Sequence, residues 1–277
     1  MVTAYQKDLK SKRSPLNKIK LYQIDAFTDK VFGGNPAAVC VLEQWLPENK
    51  MQQIAAENNL AETAFVVKQG DTYEIRWFTP TVEVDLCGHA TLASAYVLFK
   101  YYQHPTPNII LFSPRSGRLT VEKQDDALTL DFPTDTYEAV TVPEVLVKAF
   151  GKAPLEAYKG KTDYLLLFGS QQEVEGFNPD LSLVATVGGR GVIVSAPGTE
   201  VDFVSRFFAP QAGINEDPVT GSAHTTLTPI WSGKLGKTIL TAQQLSARKG
   251  DLTCQYLGER VKITGQAVTY LTGEIEV

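Results

Sequence analysis

Arg76-Trp77-Phe78-Thr79-Pro80, then Asp85-Leu86-Cys87-Gly88-His89-Ala90, is written a second time as Arg206-Phe207-Phe208-Ala209-Pro210, then Asp217-Pro218-Val219-Thr220-Gly221-Ser222-Ala223. In each copy a β-prone run ends at a proline turn, an acidic loop follows, and a glycine opens an apolar segment. The first segment, 88–102, sets Ala90, Leu92, Ala93, Ala95, Tyr96, Val97, Leu98 and Phe99 almost all round a helix; the second, 221–231, carries Ala223, Leu227, Ile230 and Trp231. A helix apolar on every side is a buried helix. Two copies at nearly equal spacing predict two homologous lobes about a pseudo-twofold axis, each a curved sheet around one buried helix. The class is α+β, with lobe 1 over 19–127 and lobe 2 over 128–267. Their junction falls near 124–128, where Asp125-Asp126 concentrates charge.

Outward from the repeat, strands are short and frequent. Val, Ile, Tyr, Phe and Thr mark them at 20–27, 37–42, 63–67, 73–78, 119–123, 128–132, 163–168, 191–196, 203–208, 252–257, 260–264 and 268–275. Further helices are expected at 48–58, on Met51, Ile54 and Ala55, and at 143–150, which opens on Pro143. The 277 residues are 43% hydrophobic and 21% charged, a globular balance able to bury a core without disulfides or metals. Cys40, Cys87 and Cys254 are an odd, scattered set, which points to a reducing, cytoplasmic compartment. A net charge of −5 disfavours a nucleic-acid partner. No apolar run approaches the roughly 20 residues that span a bilayer. The basic tail, 1–18, has no apolar h-region; it reads as a solvated tail rather than a targeting or docking arm.

Helix N-termini present unpaired N–H groups and partial positive charge, and glycine lets a ligand approach the backbone. Gly88-His89 and Gly221-Ser222, facing one cleft, would cradle a carboxylate or an enolate-like oxygen. For either glycine alone, tight packing at a turn is the simpler reading; the pair in duplicated lobes favours the cradle. Glu62, in Leu60-Ala61-Glu62-Thr63-Ala64-Phe65, is an acid between apolar neighbours. It reads equally as an acid/base catalyst or as an edge carboxylate. His89 and Asp217 lie in matching loops, where each can bond substrate, or else serve the helix opening beside it. His224 lies one turn into the second helix and has a supporting role at most. The histidines show no metal-ligand spacing, and neither a GxGxxG after a strand nor a GxxxxGK[ST] is present, so neither metal nor nucleotide cofactor is expected. Gly188-Gly189-Arg190-Gly191 reads as a turn. Gly-x-Ser-x-Gly is absent.

Six motifs in order carry a family resemblance. They are Asp25-Ala26-Phe27-Thr28, Gly34-Asn35-Pro36-Ala37-Ala38-Val39, Asn59 to Phe65, Arg76 to Pro80, Cys87-Gly88-His89-Ala90-Thr91 and Glu216 to Ala223. From about Leu21 onward the chain resembles the PhzF-like phenazine-biosynthesis isomerases. The resemblance implies a diaminopimelate-epimerase-like fold, with lobe 1 completed by a C-terminal strand near 268–277. It also implies a homodimer and a cofactor-free proton shift on a small cyclic amino or hydroxy carboxylate. By position Glu62 matches the family's general acid/base, and Gly88, His89, Asp217, Gly221 and Ser222 match its substrate contacts. Ala61 departs from the serine that touches substrate in the phenazine enzyme, which weakens the case for that substrate. Two other readings stand beside this one. An epimerase of the same fold would use two facing cysteines, but lobe 2 offers Thr220 where lobe 1 has Cys87, and a hydroxyl is too weak to replace a thiol. A non-catalytic binding protein could share the pocket.

Overall fold

The computed structural model describes residues 18–277; apart from Lys18, the N-terminal tail lies outside them. The first half contains β1 (Lys18–Ala26), β2 (Asn35–Leu42), α1 (Glu48–Asn58), β3 (Glu62–Gln69), β4 (Thr72–Phe78), β5 (Glu83–Val84), α2 (Gly88–Tyr101), β6 (Asn108–Ser113), β7 (Gly117–Gln124) and β8 (Ala127–Pro133), the last carrying it past the expected junction at 127 by pairing with β7. Then come β9 (Tyr137–Ala139), α3 (Glu144–Phe150), β10 (Glu156–Gly160), β11 (Asp163–Leu167), α4 (Gln171–Gly176), α5 (Leu181–Val184), β12 (Gly191–Pro197), β13 (Phe203–Ala209) and β14 (Ile214–Asp217). The chain ends with α6 (Ala223–Leu235), β15 (Ile239–Gln244), β16 (Gly250–Tyr256), β17 (Arg260–Gly265) and β18 (Ala267–Glu276).

The duplication is visible in the strand pairing. One half runs β18-β1-β2-β3-β4-β6-β7-β8. The other runs β9-β10-β11-β12-β13-β15-β16-β17. Both follow the same sequence of senses: antiparallel, antiparallel, parallel, antiparallel, parallel, antiparallel, antiparallel. The equivalent last strands, β8 and β17, pair with each other from Leu128↔Gly265 to Pro133↔Arg260 and join the halves into one sheet. The exchange of outer strands is reciprocal. β18 follows β17 but pairs with β1, whereas β9 follows β8 but pairs with β10.

The repeated arginines explain why the first motif recurs. Arg76 grips Glu83 with Nε and Nη2 at 2.6 and 2.7 Å, and Arg206 grips Glu216 at 2.7 and 2.9 Å. Each fork pins the short return strand, β5 or β14, that leads to a central helix; paired, partly buried forks of this kind are directional and strong.

Both central helices are enclosed, and the core around them draws Trp77, Leu92, Val97, Leu130, Phe203, Leu227, Trp231 and Ile263 from both lobes. Most of their buried hydroxyls bond back one turn, Thr91 to Cys87 O, Ser94 to Ala90 O and Thr228 to His224 O, whereas Thr226 donates to Asp135 and Ser232 to Lys237 O beyond the helix. The second helix differs from its expected span. It begins at Ala223, because Gly221 and Ser222 form a tight turn whose carbonyls accept from His224 N and Thr225 N. It also continues through Pro229 to Leu235. Pro229 has no N–H for the Thr225 carbonyl, and Asp135 N occupies that carbonyl instead, at 3.3 Å. The outer sheet faces are covered by α1 over lobe 1 and by α3, α4 and α5 over lobe 2. Strand β12 is therefore buried on both faces, which accounts for its unbroken apolar run. Among the described residues no helix is long and apolar enough to cross a membrane.

Candidate functional site

The openings of the two central helices meet at the seam between the lobes. A Cβ built on Gly88 would lie 3.5 Å from Gly221 Cα, and one on Gly221 3.6 Å from Gly88 Cα. Neither glycine has the left-handed backbone that would demand glycine. Glu62 reaches this point because α1 ends on Asn59 in the left-handed conformation, which turns the chain into β3 with Glu62 as its first residue. Its side chain is 12% exposed, and Oε2 lies 3.1 Å from His89 Nε2. That is ion-pair distance, and no hydrogen-bond donor of the described chain is aligned on Oε2.

Asp217 closes the site from lobe 2, at the end of β14. It is not a helix cap: Thr220 Oγ1 donates to Oδ2, and Asn35 Nδ2 donates to Oδ1 at 2.8 Å. Gln244, fully buried, braces the same turn. Its Nε2 donates to Asp217 O at 2.8 Å, and its Oε1 accepts from Thr220 N at 2.8 Å. Asn35, also fully buried, crosses from lobe 1 to reach Asp217 Oδ1, Val219 O at 2.9 Å and His89 Nδ1 at 3.1 Å. Its loop is held by lobe 2. Arg248 pairs with Asp25 at 2.8 Å and donates to the carbonyls of Gly33 and Gly34. Gly34 is required there, since its φ is +59° and a Cβ would strike Ala26 O.

The structure thus brings Glu62, Gly88, His89, Asp217, Gly221 and Ser222 to one place, with Ser222 half-buried at the turn into α6. Sequence reasoning gave no role to Asn35 or Gln244. Asn35 stood inside one of the six motifs that carry the family resemblance, whereas Gln244 lies in a polar strand with nothing to mark it. Spacing also hid a donor cluster: ligand atoms of Glu62, Cys87 and His89 all lie within 4.8 Å of one another, a set that could hold a cation. Burial, with the Glu62 charge behind it, pushes the Cys87 thiol up to about 11, so a metal would first have to displace that proton. Burial, with Glu62 again adding to it, raises the Asp217 carboxyl above its ordinary value. Burial opposes the imidazolium on His89, but Cys87 and Glu62, where ionised, outweigh it and raise the ring well above its ordinary value. Because Cys87 is a thiol near neutral pH, the larger of those two pulls is absent. His224 is separate: burial takes it down to about 4, and its Nδ1 donates to Thr220 O at 2.9 Å.

A two-lobed α+β chain with its polar residues gathered between two helix openings defines the class, and comparison with known proteins gives the family. Residues 24–273 match the family model described as phenazine biosynthesis-like protein. A Pseudomonas aeruginosa protein named "Uncharacterized isomerase PA2770" is 48% identical over 94% of this chain and 100% of its own length. A solved phenazine biosynthesis protein of the PhzF family from Enterococcus faecalis superposes with a TM-score of 0.92 at 47% identity, over 94% of this chain and 100% of that one. A hydroxyproline epimerase from Agrobacterium vitis shares the fold alone, with a TM-score of 0.58 at 9% identity over 94% and 93% of the two chains. The chain belongs to the phenazine biosynthesis-like (PhzF) family of isomerases and has the diaminopimelate-epimerase-like fold.

Proposed function

We propose that the chain moves a proton between carbons of a small cyclic amino or hydroxy carboxylate, without a cofactor, and that Glu62 is the general acid/base. The observation that carries this is the Glu62 carboxylate beside His89 Nε2, at the point where two helix openings converge. Glu62 takes the proton from one carbon as the C–H electrons move into the substrate π system, and the same carboxyl returns it to another carbon. The backbone N–H groups at Gly88-His89 and Gly221-Ser222 hold the negative charge that develops meanwhile. His89, Asp217 and Ser222 orient the substrate. The duplication supports one base rather than two. Register through β12 and β13 places Gly191 where lobe 1 has Glu62, and there Phe207 fills the space an added Cβ would need. A paired-thiol epimerase reading has no support in the geometry: Thr220, opposite Cys87, spends its hydroxyl on Asp217. The same proposal carries the family expectation of a homodimer in the cytoplasm.

The experiment is a panel of small cyclic amino and hydroxy carboxylates incubated with the protein in deuterated water and followed by NMR. Label should appear on a substrate carbon and survive exhaustive chelation and dialysis. Turnover that requires added zinc or a pyridine nucleotide would overturn the proposal.

A further inference from the structure

The surroundings of His89 sort by hydrogen-bonding polarity. Nε2 faces an acceptor, Glu62 Oε2, at 3.1 Å. Nδ1 faces a donor, the Asn35 amide nitrogen at 3.1 Å, and the Cys87 sulfur, a thiol able to donate or accept, at 3.5 Å. The orientation of the Asn35 amide is set by its other neighbours. Asp217 Oδ1 and Val219 O are both oxygens, at 2.8 and 2.9 Å from the same nitrogen. Turning the amide over would lose both bonds and press Oδ1 against two acceptors at a fully buried residue. The amide has two N–H groups for three acceptors, so one is shared, and a proton on Nδ1 would collide with it.

We propose that Asn35 is the positioning residue that selects the His89 tautomer, keeping Nδ1 bare and placing the single imidazole proton on Nε2, towards Glu62. The titratable groups facing the ring are Glu62, Cys87 and Asp217. Arg248 touches the same loop, but Asp25 and two carbonyls engage it. A neutral His89 then turns an N–H towards one oxygen of Glu62, where an imidazolium would lock the carboxylate into a buried ion pair. This consequence rests on the acid/base role of Glu62; the tautomer itself does not.

The test is a long-range proton–nitrogen NMR spectrum of the 15N-labelled protein at neutral pH, recorded without substrate, so it stands or falls separately from the role of Glu62. Only His89, His104 and His224 contribute. His224 is an internal control of the opposite kind, since its Nδ1 donates to a carbonyl. His89 should show a bare Nδ1 and a protonated Nε2, and Asn35→Ala should abolish that pattern by letting a proton onto Nδ1. A wild-type His89 that is Nδ1-protonated or doubly protonated overturns the proposal with no variant needed. So does a folded Asn35→Ala with the pattern unchanged. Should Asn35→Ala not fold, Asn35→Asp supplies the second arm: a carboxylate there accepts from Nδ1–H, and a bare Nδ1 in that variant would refute the assignment.

Discussion

Gly88→Ala separates a glycine kept for packing from one kept for a substrate. The added methyl would meet Gly221 Cα at 3.5 Å and Phe132 Cζ at 3.6 Å, ordinary van der Waals distances at which nothing must move. The backbone of Gly88 suits alanine. Burying a methyl contributes about 0.8 kcal/mol, and replacing glycine by alanine in a helix contributes up to about 1 kcal/mol, less at the first position. The variant should therefore be as stable as wild type or more stable by up to about 1.5 kcal/mol, a rise of a few degrees in Tm for a chain of this length. The same methyl stands between the two helix openings, where the developing charge would be held. Losing access to one such donor costs on the order of 100-fold or more in turnover. Thermal unfolding and deuterium exchange into substrate, measured on one preparation, should move in opposite directions. Wild-type exchange in a stable Gly88→Ala protein would refute the cradle, and a strongly destabilised protein would show that the glycine serves packing.

Two further perturbations test the surrounding structure. His224 is fully buried with its pKa lowered from 6.5 to about 4, so between those values the unfolded chain binds a proton that the native one refuses. Stability should be complete above pH 6.5 and fall towards pH 4 by about 3 kcal/mol; urea titrations should show this slope in wild type and a flatter one in His224→Gln. Gly191→Ala should behave opposite to Gly88→Ala, because its Cβ would come within 2.5 Å of Phe207 Cζ and 2.8 Å of the Phe208 carbonyl oxygen. A loss of about 2–3 kcal/mol is expected by urea unfolding, and unchanged stability would contradict the packing described around Phe207.

The central helices and much of the sheet were legible because their signals are local. An all-apolar helix has one place to go, and the β-branched and aromatic residues of β2, β3, β12 and β13 carry strand propensity with them. Strands β10 and β15 escaped notice because Glu156–Gly160 and Ile239–Gln244 are short or polar and become strands only through their neighbours. Helices α4 and α5 are too short for a 3.6-residue period to show. The expected start of the second helix at Gly221 was two residues early, since a turn closed by i to i+3 bonds leaves no mark in composition. At the site, the glycines and Asp217 could be read from the repeat, and Glu62 from its apolar neighbours and the family resemblance. Asn35 and Gln244 could not, because their importance lies in contacts between residues far apart in the chain.

The central claim is that Glu62 is the group that moves the proton. Glu62→Gln keeps the shape and removes the titrating carboxyl. Incubation of wild type and variant with the same responsive carboxylate in deuterated water, with label incorporation followed by NMR, compares them directly. Wild type should place deuterium on a substrate carbon, and a folded Glu62→Gln that still binds the compound should do so on the order of 100-fold or more slowly. Incorporation by Glu62→Gln at the wild-type rate would contradict the assignment and the mechanism built on it.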